Sequence, residues 1–110
     1  MSINHTTCTG RLTKDPELKQ LTADTSVCEL RLAVDGMGRG RETGYINASV
    51  YGAGGAAAAE HLTKGWLVGL DGRLEYREWD TEQGRRHDYT VIGNVEFLAA
   101  PRNNGEPTAA

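Results

Sequence analysis

The sequence predicts an all-β domain, a small five-stranded barrel with one helix between its third and fourth strands. Three observations predict it. Fourteen glycines among 110 residues favour short strands and tight turns over long helices. Several segments alternate apolar and polar residues, the period of a strand with one buried face. Only one stretch, Ala56–Lys64, has a helical composition.

The first strand is expected from about Ile3 to Leu12. His5, Thr6, Thr7 and Thr9 dilute its apolar positions, although β-branched threonine suits a strand. Lys14-Asp15-Pro16-Glu17 then reads as a turn, with proline fixing the backbone. The second strand, Val27–Val34, points Cys28, Leu30, Leu32 and Val34 one way and Glu29, Arg31 and Ala33 the other. Asp35–Gly44 carries four glycines in ten residues and reads as a mobile loop bearing Arg39 and Arg41. The third strand, Tyr45–Gly52, gives Ile46, Ala48 and Val50 to the core. Tyr45, Asn47, Ser49 and Tyr51 go to the opposite, wet face. Two tyrosines on a polar face are unusual, and simple sheet packing or an interface accounts for them as readily as a functional role does.

The helix follows, with Gly65 as its C-terminal stop. Trp66–Trp79 is a long fourth strand. Trp66, Val68, Leu70, Leu74 and Tyr76 form one row, with Trp66 placed in the core, while Arg73, Arg77 and Trp79 share the other. Gly69 and Gly72 allow the bend a small barrel needs. Asp80–Gly84 is a hairpin loop and Arg85–Leu98 the returning strand. Residues 1–100 thus form the domain, and 101–110 read as a short disordered polar tail. Five strands with this helix position match the order of an OB-fold, a Greek-key barrel that commonly binds oligonucleotides.

Composition excludes several classes. No apolar run approaches the roughly 20 residues of a membrane span. Met1–Thr9 lacks the basic start and apolar centre of a signal peptide, so a cytoplasmic location and no membrane partner are expected. Cys8 and Cys28 make neither a disulfide scaffold nor a zinc site and read as reduced thiols. The net charge of −3 argues against nucleic acid when taken alone. Its distribution is uneven: residues 1–41 hold six basic against five acidic side chains, 42–84 three against seven, and 85–110 three against three. A nucleic-acid site therefore has to be a local stripe assembled by folding.

Gly10-Arg11-Leu12-Thr13-Lys14-Asp15-Pro16-Glu17-Leu18 resembles the start of bacterial single-stranded DNA-binding proteins. So do Tyr45–Gly52, the stretch Glu60–Trp79 with its Leu-x-Lys-Gly turn and Asp-Gly-Arg-Leu centre, and Gly84–Thr90. The resemblance spans residues 3–98 in one order, and the order is more specific than any single motif. It implies an OB-fold, a homotetramer, and sequence-independent protection of single-stranded DNA in replication, recombination and repair. It implies base stacking on Tyr45, Tyr51 and Trp79. Stacking ignores sequence because every base has a π face. Phosphate contacts fall to Arg31, Arg39, Arg41, Arg73, Arg77, Arg85 and Arg86, with salt-dependent binding as the consequence. The polar first strand is a poor lone edge, so a dimer of dimers built through it is expected.

The sequence departs from that family pattern in four places. Gly38 stands where many relatives place a loop tryptophan, and Gly69 where relatives carry another aromatic. Glu75, Glu78 and Ala53 occupy positions that are often basic. The end, Glu106–Ala110, lacks an acidic, phenylalanine-ended tip, so tail-mediated recruitment of repair enzymes is not expected. The expectation is a weaker grip and a smaller salt slope.

Two rival functions are weighed against this. Asp15, Glu17, Asp71, Glu75, Asp80, His61 and His87 could supply ligands to a metal nuclease, but no nucleophile, base and orienter fall into the needed arrangement. No enzyme activity, cofactor or metal is expected. The alternative is an OB-fold accessory protein of a replication complex, of primosomal type, with weak nucleic-acid binding.

Overall fold

The segments with strict two-residue alternation form the middle of the molecule, whose computed structural model describes residues 2–101. The elements are β1 (Thr6–Leu12), β2 (Glu17–Gln20), β3 (Ser26–Val34), β4 (Gly44–Tyr51), α1 (Gly52–His61), β5 (Leu67–Thr81) and β6 (Gly84–Ala99). Alternation places Cys28, Leu30 and Leu32 of β3 inside, with Ala48 and Val50 of β4, Val68 and Leu70 of β5, and Val91 of β6. The expectation of a tail over 101–110 lies outside the described residues, save for Pro101.

The strands pair in the order β1-β5-β6-β4-β3-β2, and a further β1–β3 pairing closes five of them into a ring. All pairings are antiparallel except β4–β6, which runs parallel at Asn47–Ser49 against Thr90–Ile92. β1 and β2 divide one edge of β3: Arg11 and Leu12 meet Ala33 and Leu32, while Glu17–Gln20 run against Ser26–Glu29. This is the predicted OB-fold arrangement, with its single helix between β4 and β5. One end of the ring is plugged by α1, which sends Ala58 into the core, and by Leu62 just after it.

Three details depart from the sequence reading. β2 is a sixth strand, because the chain after Pro16 returns along β3 through a tight turn. There Leu21 N–H donates to Thr25 O at 2.9 Å and Thr22 Oγ1 accepts from Thr25 N–H at 3.1 Å. The helix spans Gly52–His61 rather than Ala56–Lys64. Gly55 is buried against the Val50 carbonyl and Cys28 Cβ, where no side chain fits, so packing outweighs glycine's poor helix propensity. Leu62 turns extended at φ −94°, and Gly65 takes φ +94° in the turn that follows. Asp15 Oδ1 ties that turn down by accepting Lys64 N–H at 2.8 Å.

The third departure concerns the core row of β5. Trp66 is half-buried against the core, and Tyr76 is exposed. Trp66 precedes β5, before the irregularity at Leu67/Val68, and Tyr76 lies beyond the last β6 residues that pair with β4; between them the cross-strand pair Gly72–Gly93 brings the two strands close. A β-carbon on either glycine would collide with the opposing backbone, at Ile92 O or Asp71 O. Further on, β6 still pairs with β4 through Thr90–Ile92, and past that point β5 and β6 pair only with each other, as a two-stranded arm. Cys8 and Cys28 are free thiols, half-buried and buried, and burial raises the pKa of both.

Candidate nucleic-acid interface

The residues that alternation turns away from the core meet on one outer face. Register fixes this across four strands. Arg31 of β3 pairs with Asn47 of β4, Asn47 with Thr90 of β6, and Thr90 with Glu75 of β5. The next row runs Glu29, Ser49, Ile92, Arg73. Because side chains two apart share a face, Tyr45 and Tyr51 bracket these rows on β4, roughly 20 Å apart at the rise of an extended strand. Trp79 continues the same face along the arm, opposite Arg86, with the Arg77–Asp88 pair between it and the rows. Tyr45, Tyr51 and Trp79 are 56%, 49% and 40% exposed, far more than core packing leaves on an aromatic ring.

Seven of the ten residues singled out in the sequence thus share this face: the three aromatics with Arg31, Arg73, Arg77 and Arg86. Arg39 and Arg41 lie exposed in the loop between β3 and β4. Two backbone bonds close that loop, Arg41 N–H to Gly38 O at 2.9 Å and Gly38 N–H to Glu42 O at 3.0 Å. Arg41 takes a left-handed φ of 65° there. Arg85 falls on the opposite face of the arm. Its guanidinium donates to Glu78 Oε1 at 2.8 Å and to Asp80 Oδ1 at 3.2 Å, because Asp80 is its register partner.

The cations of the outer face are ordered by neighbours. Arg31 lies over the Tyr45 ring, 5.2 Å from its centre, and donates to Asn47 Oδ1 at 3.0 Å. Arg77 lies over Trp79 at 4.8 Å and donates to Asp88 Oδ2 at 3.2 Å. Arg73 donates to Glu75 Oε2 at 3.1 Å. The two ring contacts hold ring and guanidinium together by about 0.5–1 kcal/mol each at exposed sites. They also neutralise part of the charge. Two adjoining shallow grooves, of about 200 and 180 Å³, run between Tyr51 and Arg77 and share Glu29, Ser49, Asp88 and Thr90.

Asn47, Asp88 and Thr90 belong to this surface although the sequence reading did not single them out. Alternation had already put Asn47 on the wet face between the two tyrosines, without a role as a site residue. Asp88 needed the β5–β6 register, which no local pattern supplies. Among the described residues no three potential metal ligands converge. Asp15 holds the Lys64 N–H, and Asp71 is bound by His5 and Thr7, with the His5 hydrogen bond lowering its pKa. No helix among the described residues is long and apolar enough to cross a membrane.

A ring of β-strands with exposed aromatics and guanidinium groups on one outer face defines a class of module suited to an unpaired, stackable polyanion. The particular family follows from comparison: residues 3–98 match the single-strand binding protein family, and the chain belongs to it. Single-stranded DNA-binding protein 2 of Staphylococcus aureus strain COL is 38% identical over 109 residues, covering 93% of this chain and 78% of the relative. Single-stranded DNA-binding protein 2 of Clostridium acetobutylicum is 37% identical over 102 residues, covering 87% and 77%. Among solved structures, the Plasmodium falciparum SSB complex with ssDNA is similar at a TM-score of 0.78 and 26% identity, covering 89% of this chain and 96% of that one.

Proposed function

We propose that this chain binds and protects single-stranded DNA without sequence preference, during replication, recombination and repair in the cytoplasm, and performs no chemistry on it. The observation that carries the reading is the sharing of one outer face by Tyr45, Tyr51 and Trp79. Bases stack on these rings, each contributing roughly 1–3 kcal/mol. Arg31, Arg73, Arg77 and Arg86 take phosphates along the same face, with Arg39 and Arg41 reaching in from the loop and Arg85 adding charge from the back of the arm.

The partner of the protein is then the strand itself and further copies of this chain. β1 pairs with β5 along Thr6–Arg11 but meets β3 only at Arg11 and Leu12, so Thr6–Thr9 keep one open edge. Pairing of two such edges supports a homotetramer built as a dimer of dimers. A sedimentation mass near that of one chain would count against it.

One observation favours the accessory alternative: Arg73 and Arg77 are already paired with carboxylates. The two readings separate in a titration with dT oligomers at several salt concentrations, with duplex DNA and RNA of equal length as controls. The DNA reading expects binding to dT whose affinity falls as salt rises, with little affinity for duplex. No binding to dT at low salt would leave the accessory reading.

A further inference from the structure

We propose that Leu21, on the turn after β2, forms with Tyr51 the two walls of a base seat, and that the phosphates of the bound strand follow Lys14 and Lys19 along the β2 side. This rests on the DNA-binding reading above and adds three residues to it. The seat is the groove of about 180 Å³ beside Tyr51. Leu21, Val27, Tyr51 and Ile92 line its apolar part, and Glu29, Glu75 and Asp88 stand in its polar part. The groove lies at the start of β3. β1 meets β3 at the other end, at Leu32 and Ala33, which puts Val27 roughly 20 Å along the strand from the side where a second copy pairs.

Val27 has the outward parity of β3 and stands apart from the core cluster, yet it is only 4% exposed. Its register partners are Lys19 and Tyr51, so Lys19, Val27 and Tyr51 make one row across three strands. Val27 is thus the floor of an apolar spot on an otherwise polar face. Leu21, two positions beyond Lys19, walls one side of that floor and Tyr51 the other, each about half exposed. Two exposed apolar walls over a shared floor gain most from a flat apolar body between them. Tyr51 belongs to the stacking face, so continuity selects one base of the same strand as the occupant.

Leu21 is also held in place. Its N–H donates to Thr25 O at 2.9 Å, and Thr22 Oγ1 accepts from Asp24 N–H at 3.3 Å and Thr25 N–H at 3.1 Å. Gln20 Nε2 donates across the same turn to Thr22 O at 2.7 Å and to Thr25 O at 3.3 Å. A wall braced in this way loses little freedom when a base enters. Charge then sets where the sugar–phosphate chain runs. The three carboxylates repel phosphate from the polar part of the groove. On the β2 side stand Lys19, paired with Glu29 at 3.0 Å, and Lys14, paired with Glu17 at 3.2 Å and lining the adjoining groove. β2 buries no side chain, so lining the path of the strand gives it a role that packing does not.

The test measures binding of dT oligomers by the full chain and its variants, with thermal melts alongside. Leu21→Ala should weaken binding about fivefold, the lower end of the range for one stacked base, and leave the melting temperature unchanged. Leu21→Met keeps the bulk and should bind as the parent does. When Leu21→Ala is combined with Tyr51→Ala, the loss should be no greater than in Tyr51→Ala alone, because a base that has left the ring has left the leucine too. Tyr51→Leu replaces Tyr51→Ala in that comparison if the alanine variant does not fold. Lys19→Gln should lower the log–log salt slope by about 0.7, one phosphate contact on a single strand. Parent-like binding by Leu21→Ala, or losses that multiply in the double variant, would overturn the seat and leave the DNA reading intact. A melting temperature that falls with affinity in Leu21→Ala would make Leu21 a cover for Val27 and overturn the seat as well. An unchanged slope in Lys19→Gln would overturn the path along β2. Absence of binding by the parent chain would end both readings.

Discussion

Arg77 lies 4.8 Å from the centre of the Trp79 ring while donating to Asp88 Oδ2 at 3.2 Å. One guanidinium therefore orders an aromatic ring and is itself neutralised by a carboxylate across the hairpin. Phosphate has to compete with Asp88 for it. Asp88→Asn keeps the shape and removes the charge, so the variant should bind dT oligomers a few-fold more tightly at low salt. Its log–log salt dependence should steepen by about 0.7, the increment for one more phosphate contact on a single strand. Titrations at four or more salt concentrations read this directly, and an unchanged slope would mean that Arg77 does not reach phosphate.

Tyr45 and Tyr51 act without neighbours of the core. Each is about half exposed, so replacing either by alanine should cost about 1–3 kcal/mol of DNA binding and little thermal stability. Parallel binding titrations and thermal melts separate the two quantities. A melting temperature that falls in step with affinity would make the rings structural.

That these tyrosines share a wet face was legible in the sequence, since Ile46, Ala48 and Val50 alternate with them without a break. The buried rows of β3 and β4 were equally plain. The arm was harder to read. Tyr76 continues the parity of Leu70 and Leu74, and nothing local says that the ring ends before it. The pairing that marks the end of the ring, Asn47 with Thr90, joins residues 43 positions apart. The same limit hid Asp88 beside Arg77 and placed Arg85 on the back of the arm. β2 escaped notice because Glu17–Gln20 bury no side chain, so their hydrogen bonds to β3 leave no hydrophobic pattern. Gly52, Gly54 and Gly55 argued against helix, and only packing on Val50 made them one.

The Gly72–Gly93 contact makes its own prediction. Gly72→Ala and Gly93→Ala each force backbone apart at this close approach and should destabilise the fold by about 1–3 kcal/mol, the range for overpacking. Gly54→Ala is the control. Its β-carbon would meet Val50 Cγ1 at an ordinary 3.5 Å, and helix propensity should stabilise by up to about 1 kcal/mol. Denaturant midpoints measure all three.

Tyr76 should titrate late. Its hydrogen bond to Glu78 pushes its pKa up from 10 to about 12. A raised folded pKa means that the contribution of this contact is fully present below pH 10 and is lost as pH rises through about 12. Phenolate absorbance should show one of the four tyrosines ionising near pH 12 in the parent and nearer 10 in Glu78→Gln. Identical titration curves would remove the hydrogen bond from the account.

The central claim is that bases stack on the aromatic outer face, and Trp79 offers the most direct test because its emission reports the contact itself. The second tryptophan, Trp66, is half-buried against the core with its ring 6.2 Å from Phe97, so a variant is needed to assign the signal. Tryptophan fluorescence during titration with dT oligomers should be quenched in the parent chain. In a folded Trp79→Ala variant the quenching should vanish and affinity fall by about 1–3 kcal/mol. Equal quenching and affinity in Trp79→Ala, or tight binding by the parent with no quenching, would contradict it.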